Sequence, residues 1–173
     1  MPEPETLGTE RIFQGKVFTV ERDRVRLPNR REVSMDVVRH PRSVVLLPMP
    51  EPNHIILIRQ YRHAINRFLW ELPAGSVDEG EEPDQAAVRE CHEEIGQVPA
   101  TVVRLASLFP TPGYCDEEMV FYRLSGLTTP TEAAQVDEDE DIEPKTFALR
   151  DVREMIRRGE IIDMKTVAGL TLL

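Results

Sequence analysis

The segment from Gly75 to Gln97, GSVDEGEEPDQAAVRECHEEIGQ, constrains this chain more than any other. On an α-helix, residues three and four apart share a face, so Glu90, Glu93 and Glu94 project together, with Glu94 one turn beyond Glu90. Carboxylates stacked in this way repel each other and call for a cation. One fixed positive charge, Arg89, stands four residues before Glu93 and can pair with it along the helix. Pro83 suits the first turn, where its missing N–H is no loss, and Gly96 suits the exit, where a positive φ is often needed. Together they frame a helix of about three turns. Ala86, Ala87, Cys91 and Ile95 give it an apolar side for packing on a sheet, which turns the glutamates toward a cleft.

With Gly75, Glu81 and Gly96, the charged residues spell G-x5-E-x7-R-E-U-x-E-E-x-G-U, where U is a bulky apolar residue. This spacing resembles the Nudix box. Every glycine and charged position matches, while Cys91 stands where Leu or Ile is usual and Gln97 where an aliphatic residue is expected. Neither departure touches a metal ligand. Oxygen-only ligands suit a hard cation such as Mg2+ or Mn2+, and the sequence holds no Cys and His cluster with zinc spacing. The resemblance implies hydrolysis of a nucleoside diphosphate linked to another moiety, by water attacking phosphorus beside a divalent metal. It implies Glu90 and Glu94 as principal ligands, Glu93 as a third and the Ala74 carbonyl as a backbone ligand. Arg89 and Glu93 also count among the catalytic residues of the box.

A chain of 173 residues accommodates one domain with a sizeable core. Its net charge of −10 opposes a nucleic-acid or anionic-membrane surface at long range. A small diphosphate is a different matter, because metal ions and a few local arginines can draw it in. The apolar stretches SVVLLPMP and HIILI are strand-length, well short of the roughly 20 residues a membrane helix needs. The beginning, MPEPETLGTE, has no basic region followed by an apolar one, so a cytoplasmic location is expected. Cys91 and Cys115 read as reduced thiols.

Ahead of the box, RIFQGKVFTVERDRVRL, EVSMDVVRH, SVVLLPMP and HIILIRQYR carry the β-branched and aromatic residues of successive antiparallel strands. Leu27-Pro28-Asn29-Arg30 is a turn between two of them. Residues 1–39 thus read as an N-terminal strand or hairpin extension, and 40–173 as the hydrolase domain. After the box come VVRLASLF, EEMVFYRLS and KTFAL as strands, with a polar loop from Thr128 to Asp141. Asp151 to Arg158 and Asp163 to Leu173 read as terminal helices, the second with Asp163 as N-cap. The expected class is α+β, a mixed sheet sandwiched between helices, in agreement with the Nudix fold that the box resemblance implies.

Three features outside the box resemble the ADP-ribose pyrophosphatase branch of the family. Pro112, sixteen residues beyond Gly96 in FPTPGYCDE, matches a proline that marks the branch. The elements Q-Y-R and W-E-L-P-A-G imply that Arg62 contacts the substrate diphosphate and that Glu71 lies at the metal and ribose end; a salt bridge at a strand end is the alternative for Glu71. The acidic loop VDEDEDIEP resembles the setting of the catalytic base, with Glu140 as the choice and Glu138 or Glu143 as neighbours able to take its place. The branch implies ADP-ribose as substrate, AMP and ribose 5-phosphate as products, and a homodimer built through the N-terminal segment. Another nucleoside diphosphate sugar such as GDP-mannose, a dinucleotide, or a sensor that binds without turnover are the alternatives. Trp70 reads as core, and Phe13, Phe18, Tyr61 and Phe68 stand level as purine platforms.

Overall fold

A computed structural model describes residues 2–131 and 142–173. The chain divides into two compact units, Met1–Arg42 with Phe109–Glu118, and Ser43–Leu108 with Met119–Leu173.

In the first unit, strands β1 (Glu5–Gln14), β2 (Thr19–Arg26) and β3 (Glu32–Arg39) form an antiparallel meander, one strand more than a hairpin. The turn predicted at Leu27–Arg30 is present, closed by Arg30 N–H donating to the Leu27 carbonyl at 2.8 Å. The strands are mostly exposed on both faces, and Ile12, Phe13, Val17, Phe18 and Met35 lie open. Ion pairs join the backbone ladders in holding them, since Arg39 donates to Glu21 at 3.0 Å and to the buried Asp23 at 2.6 Å. The segment from Phe109 joins β3 through Val38, whose N–H donates to the Tyr114 carbonyl at 2.7 Å.

The second unit holds two sheets. One has the order β7-β4-β9-β8, built from β4 (Ser43–Met49), β7 (Ala74–Ser76), β8 (Thr101–Leu108) and β9 (Met119–Ser125). It is mixed, because β4 and β9 run parallel while the β4–β7 and β8–β9 pairs are antiparallel. The other, β10-β5-β6, is antiparallel and comprises β5 (His54–Arg62), β6 (Arg67–Glu71) and β10 (Ile142–Ala148). Helices α1 (Pro83–Ile95), α2 (Leu149–Arg157) and α3 (Met164–Leu170) complete the unit.

Strand alternation explains the layering. Along β4, Val44 and Leu46 join one core cluster with Ala86, Ala87, Cys91 and Ile95 of α1, while Val45 and Leu47 join another with Val152, Met155 and Leu170 of α2 and α3. A strand buried on both faces reads as an unbroken apolar run, as SVVLLPM does. The α+β class and the sheet between helices are therefore present as expected. Among the described residues, no helix is long and apolar enough to cross a membrane.

Candidate active site

The box helix forms where the sequence puts it. Pro83 occupies its first turn, Glu82 and Gln85 make a reciprocal capping box, and Gly96 ends it with φ 66°. Ala86, Ala87, Cys91 and Ile95 are buried against the sheet, and so are Glu90 and Glu94. Desolvation raises the Cys91 thiol to about 12, so it is no nucleophile at neutral pH.

Arg89 ties the acidic residues together. It meets Glu93 at 2.8 Å, as the four-residue spacing predicts, and Glu90 at 2.7 Å. Its other edge grips Glu81 through two bonds of 3.0 and 2.8 Å and the Ser76 carbonyl at 2.9 Å. The bonds from Arg89 hold the Glu81 carboxyl below its ordinary range, and those from Glu81, Glu90 and Glu93 raise the guanidinium further. The helix therefore presents its glutamates already oriented.

Strand β7 supplies the opposing wall. It pairs with β4 in the register Val44↔Gly75 and Val45↔Ala74. A Cβ at residue 75 would sit on the Glu90 carboxylate, so only glycine admits that side chain. Next to it, the Ala74 N–H donates to Glu94 at 2.8 Å. Both buried carboxylates thus rest against consecutive residues of one strand.

This donor set fits a hard cation. Among the described residues, no three acidic, imidazole or thiolate groups converge as a ready-made shell. Mg2+-type sites use one or two carboxylates and fill the rest with waters and substrate phosphates, which is what Glu90 and Glu94 beside the backbone of Ala74 can offer.

Glu71 lies at the end of β6, buried to 1% exposure. Arg62 donates to it twice, at 3.0 and 2.7 Å, and Lys165 donates from α3. Burial alone would raise the Glu71 carboxyl, but the Arg62 bonds and the Lys165 charge outweigh it and hold the group low. Glu71 therefore takes part in a salt bridge at the strand end. Lys165 also lies 3.2 Å from Asp163, which caps α3 by accepting from Thr166 N–H at 2.9 Å. Thr166 Oγ1 in turn accepts from Leu72 N–H at 2.7 Å. The sequence reading found the Asp163 cap but missed Lys165 and Thr166; their only signal was two polar residues within an otherwise apolar terminal helix.

The remaining candidates are spread out. Pro112 belongs to the first unit, where it lines a cleft of about 520 Å3 with Met35, Arg39, Phe109 and Tyr114. Glu140 and its alternative Glu138 lie outside the described residues. Glu143 is exposed on β10, 3.9 Å from Arg59. Trp70 packs edge-on against Phe147 with ring centres 5.0 Å apart, against the core, as expected. Tyr61 and Phe68 form an exposed pair 5.3 Å apart, with Arg59 over Phe68.

A helix that gathers these glutamates around one arginine, facing a glycine strand in a sheet between helices, defines a metal-assisted hydrolase of the Nudix type. The chain belongs to the Nudix family, whose NUDIX domain it matches over residues 39–167. It is 32% identical over 171 residues to the ADP-ribose pyrophosphatase of Bacillus subtilis (strain 168), covering 99% of this chain and 92% of the relative. To the methanol dehydrogenase activator of Bacillus methanolicus it is 34% identical over 171 residues, with the same 99% and 92% coverage. A solved structure described as an ADP compounds hydrolase shares the fold, with a TM-score of 0.86, 24% identity, and 99% and 92% of the two chains covered. Hydrolases of this family work with a divalent cation.

Proposed function

We propose that this chain hydrolyses the diphosphate bond of ADP-ribose to AMP and ribose 5-phosphate, with Mg2+ or Mn2+ as its cation. The observation that carries the reading is the complete set of box carboxylates, with Glu90 lodged against Gly75, Glu94 against Ala74, and Glu81 and Glu93 held by Arg89. The substrate comes from the near full-length similarity to an ADP-ribose pyrophosphatase.

In this reading Glu90 and Glu94 hold the cation, with Glu93 and the Ala74 carbonyl completing its protein ligands. When bound, the cation offsets the diphosphate charge, acidifies the attacking water and stabilises the leaving phosphate. Arg89 keeps Glu90 and Glu93 in place through bonds of 2.7 and 2.8 Å. Arg62 orients the diphosphate, and Glu71 stands behind it. Glu140 accepts the proton of the water whose oxygen joins one phosphorus, while the bridging oxygen leaves with the other phosphate.

A homodimer goes with this reading. The open apolar side chains Ile12, Phe13, Val17 and Phe18 on the first unit suit burial by a second copy. The protein is expected to act in the cytoplasm.

The test is a side-by-side assay of ADP-ribose, GDP-mannose, NADH and diadenosine polyphosphates with Mg2+. A weak rate on ADP-ribose beside a strong one elsewhere refutes the substrate, and tight ADP-ribose binding without AMP marks a sensor. Glu140→Gln is expected to lower kcat far more than affinity; an unchanged kcat moves the base to Glu138 or Glu143. Light scattering on the eluted protein reads the oligomeric state.

A further inference from the structure

Two cations share the Glu71 carboxylate, and they are held very differently. Lys165 is itself buried, 9% exposed, and it also meets Asp163 at 3.2 Å. Arg62 approaches from the end of β5 with its side chain 40% exposed. A carboxylate with 1% exposure must keep one cation, because stranding a buried charge is strongly destabilising. It does not need two. Asp163 places no full claim on Lys165, since it already accepts from both the N–H and the hydroxyl of Thr166, at 2.9 and 2.6 Å.

We propose that Lys165 is a positioning residue: it holds the Glu71 charge while Arg62 leaves Glu71 for the substrate diphosphate. The inference rests on the function proposed above. The guanidinium exchanges one set of charge-assisted hydrogen bonds for another, and Lys165 keeps the abandoned carboxylate neutralised. Without Lys165, Arg62 is the remaining cation on Glu71, and each binding event strands a buried negative charge. Helix α3 thereby sets the affinity of an arginine that lies roughly a hundred residues earlier in the chain.

The experiment uses inorganic pyrophosphate with Mg2+, followed by calorimetry, because this probe has no ribose or base. Lys165→Met is expected to weaken its binding at least about tenfold, the scale of one lost charge-assisted bond. Adding Glu71→Gln to that variant removes the charge that traps Arg62, and binding is expected to return to within about threefold of wild type. A purely structural role predicts the reverse, since the double variant has lost more of the cluster. Unchanged binding in Lys165→Met, or no recovery in the double variant, overturns the proposal. So does a wild-type chain that does not bind pyrophosphate, because Arg62 then has no anion to leave for. If Lys165→Met fails to fold, Lys165→Gln keeps a donor to Glu71 without the charge; weakening of at least about threefold supports the proposal and unchanged binding overturns it. A wild type that prefers another nucleoside diphosphate derivative to ADP-ribose defeats the substrate assignment alone, because the order of pyrophosphate affinities is measured independently of it.

Discussion

Gly75→Ala separates the geometry of the site from the stability of the fold. The new Cβ falls on the Glu90 carboxylate, so that group has to move. What it meets is the tip of a side chain, and rotation of Glu90 relieves the clash without shifting β7. The main loss is the bond from Arg89 at 2.7 Å, a charge-assisted contact worth about 1.5–3 kcal/mol, at the lower end here because the pair is partly open. Against this, residue 75 does not have a positive φ, and alanine in place of glycine stabilises by about 0.4–1 kcal/mol through the unfolded chain. The net expectation is about 1 kcal/mol, a fall in Tm of about 2–4 °C for a domain of this size. Catalysis suffers more, because the displaced carboxylate is a proposed cation ligand. The Mg2+ concentration for half-maximal AMP release is expected to rise about 10–100-fold, the loss typical when a ligand is misdirected. Thermal melts and Mg2+ titrations on the same preparations measure both. An unchanged Mg2+ dependence refutes the role of Glu90, and a chain that no longer folds refutes the claim that side-chain rotation absorbs the clash.

Glu94→Gln is expected to remove most activity with Tm unchanged or raised, because the amide oxygen can still accept from Ala74 N–H while the repulsion with Glu90 is relieved. Gln97 buries an Oε1 with no partner among the described residues, so Gln97→Leu is expected to stabilise by about 1 kcal/mol, read as a higher urea midpoint. Glu71 is held below the ordinary carboxylate value of 4.5, so its stabilising charge is fully present above that pH and lost as pH falls through the lower folded value. Urea midpoints are expected to be flat above about pH 5.5 and to drop below about pH 4.5, less steeply in Arg62→Gln, where one depressing partner is gone.

The helix was legible because chemistry fixes its spacing: carboxylates that must share a face, a proline that starts it and a glycine that stops it leave little freedom. Strand β4 was equally plain, since burial on both faces removes the alternation and leaves an apolar run. The three-residue β7 was not, because Ala74-Gly75-Ser76 carries no strand signal; its pairing with β4 and its contact with Glu90 come from tertiary packing. Glu71 was legible as an acid at a strand end, but its partner Lys165 lies far along the chain, and one sequence offers no means of joining them. The attachment of Phe109–Glu118 to the first unit was hidden for the same reason, as it depends on Val38 bonding to Tyr114 and Asp116 from far along the chain.

The stretch from Glu71 to Ser76 organises this site as much as the helix does. Glu71 anchors Arg62 and Lys165, and the Leu72 N–H donates to Thr166. The Pro73 carbonyl accepts from Leu46 N–H of β4 at 2.8 Å. Ala74 donates to Glu94, Gly75 makes room for Glu90, and the Ser76 carbonyl accepts from Arg89. Six consecutive residues thus connect the terminal helix, the central strand and Arg89, Glu90 and Glu94 of the box helix. Alternation along an extended chain accounts for how one short segment reaches both cores: Leu72 packs with α3, while the acidic face of α1 closes over its other end. A shift of one residue would exchange those faces, placing the side chain of Ala74 or Ser76 where Glu90 needs glycine and Glu71 or Pro73 where the core needs Leu72. The order W-E-L-P-A-G-S is therefore a single structural requirement, and the glutamate helix is effective because this strand fixes where its carboxylates come to rest.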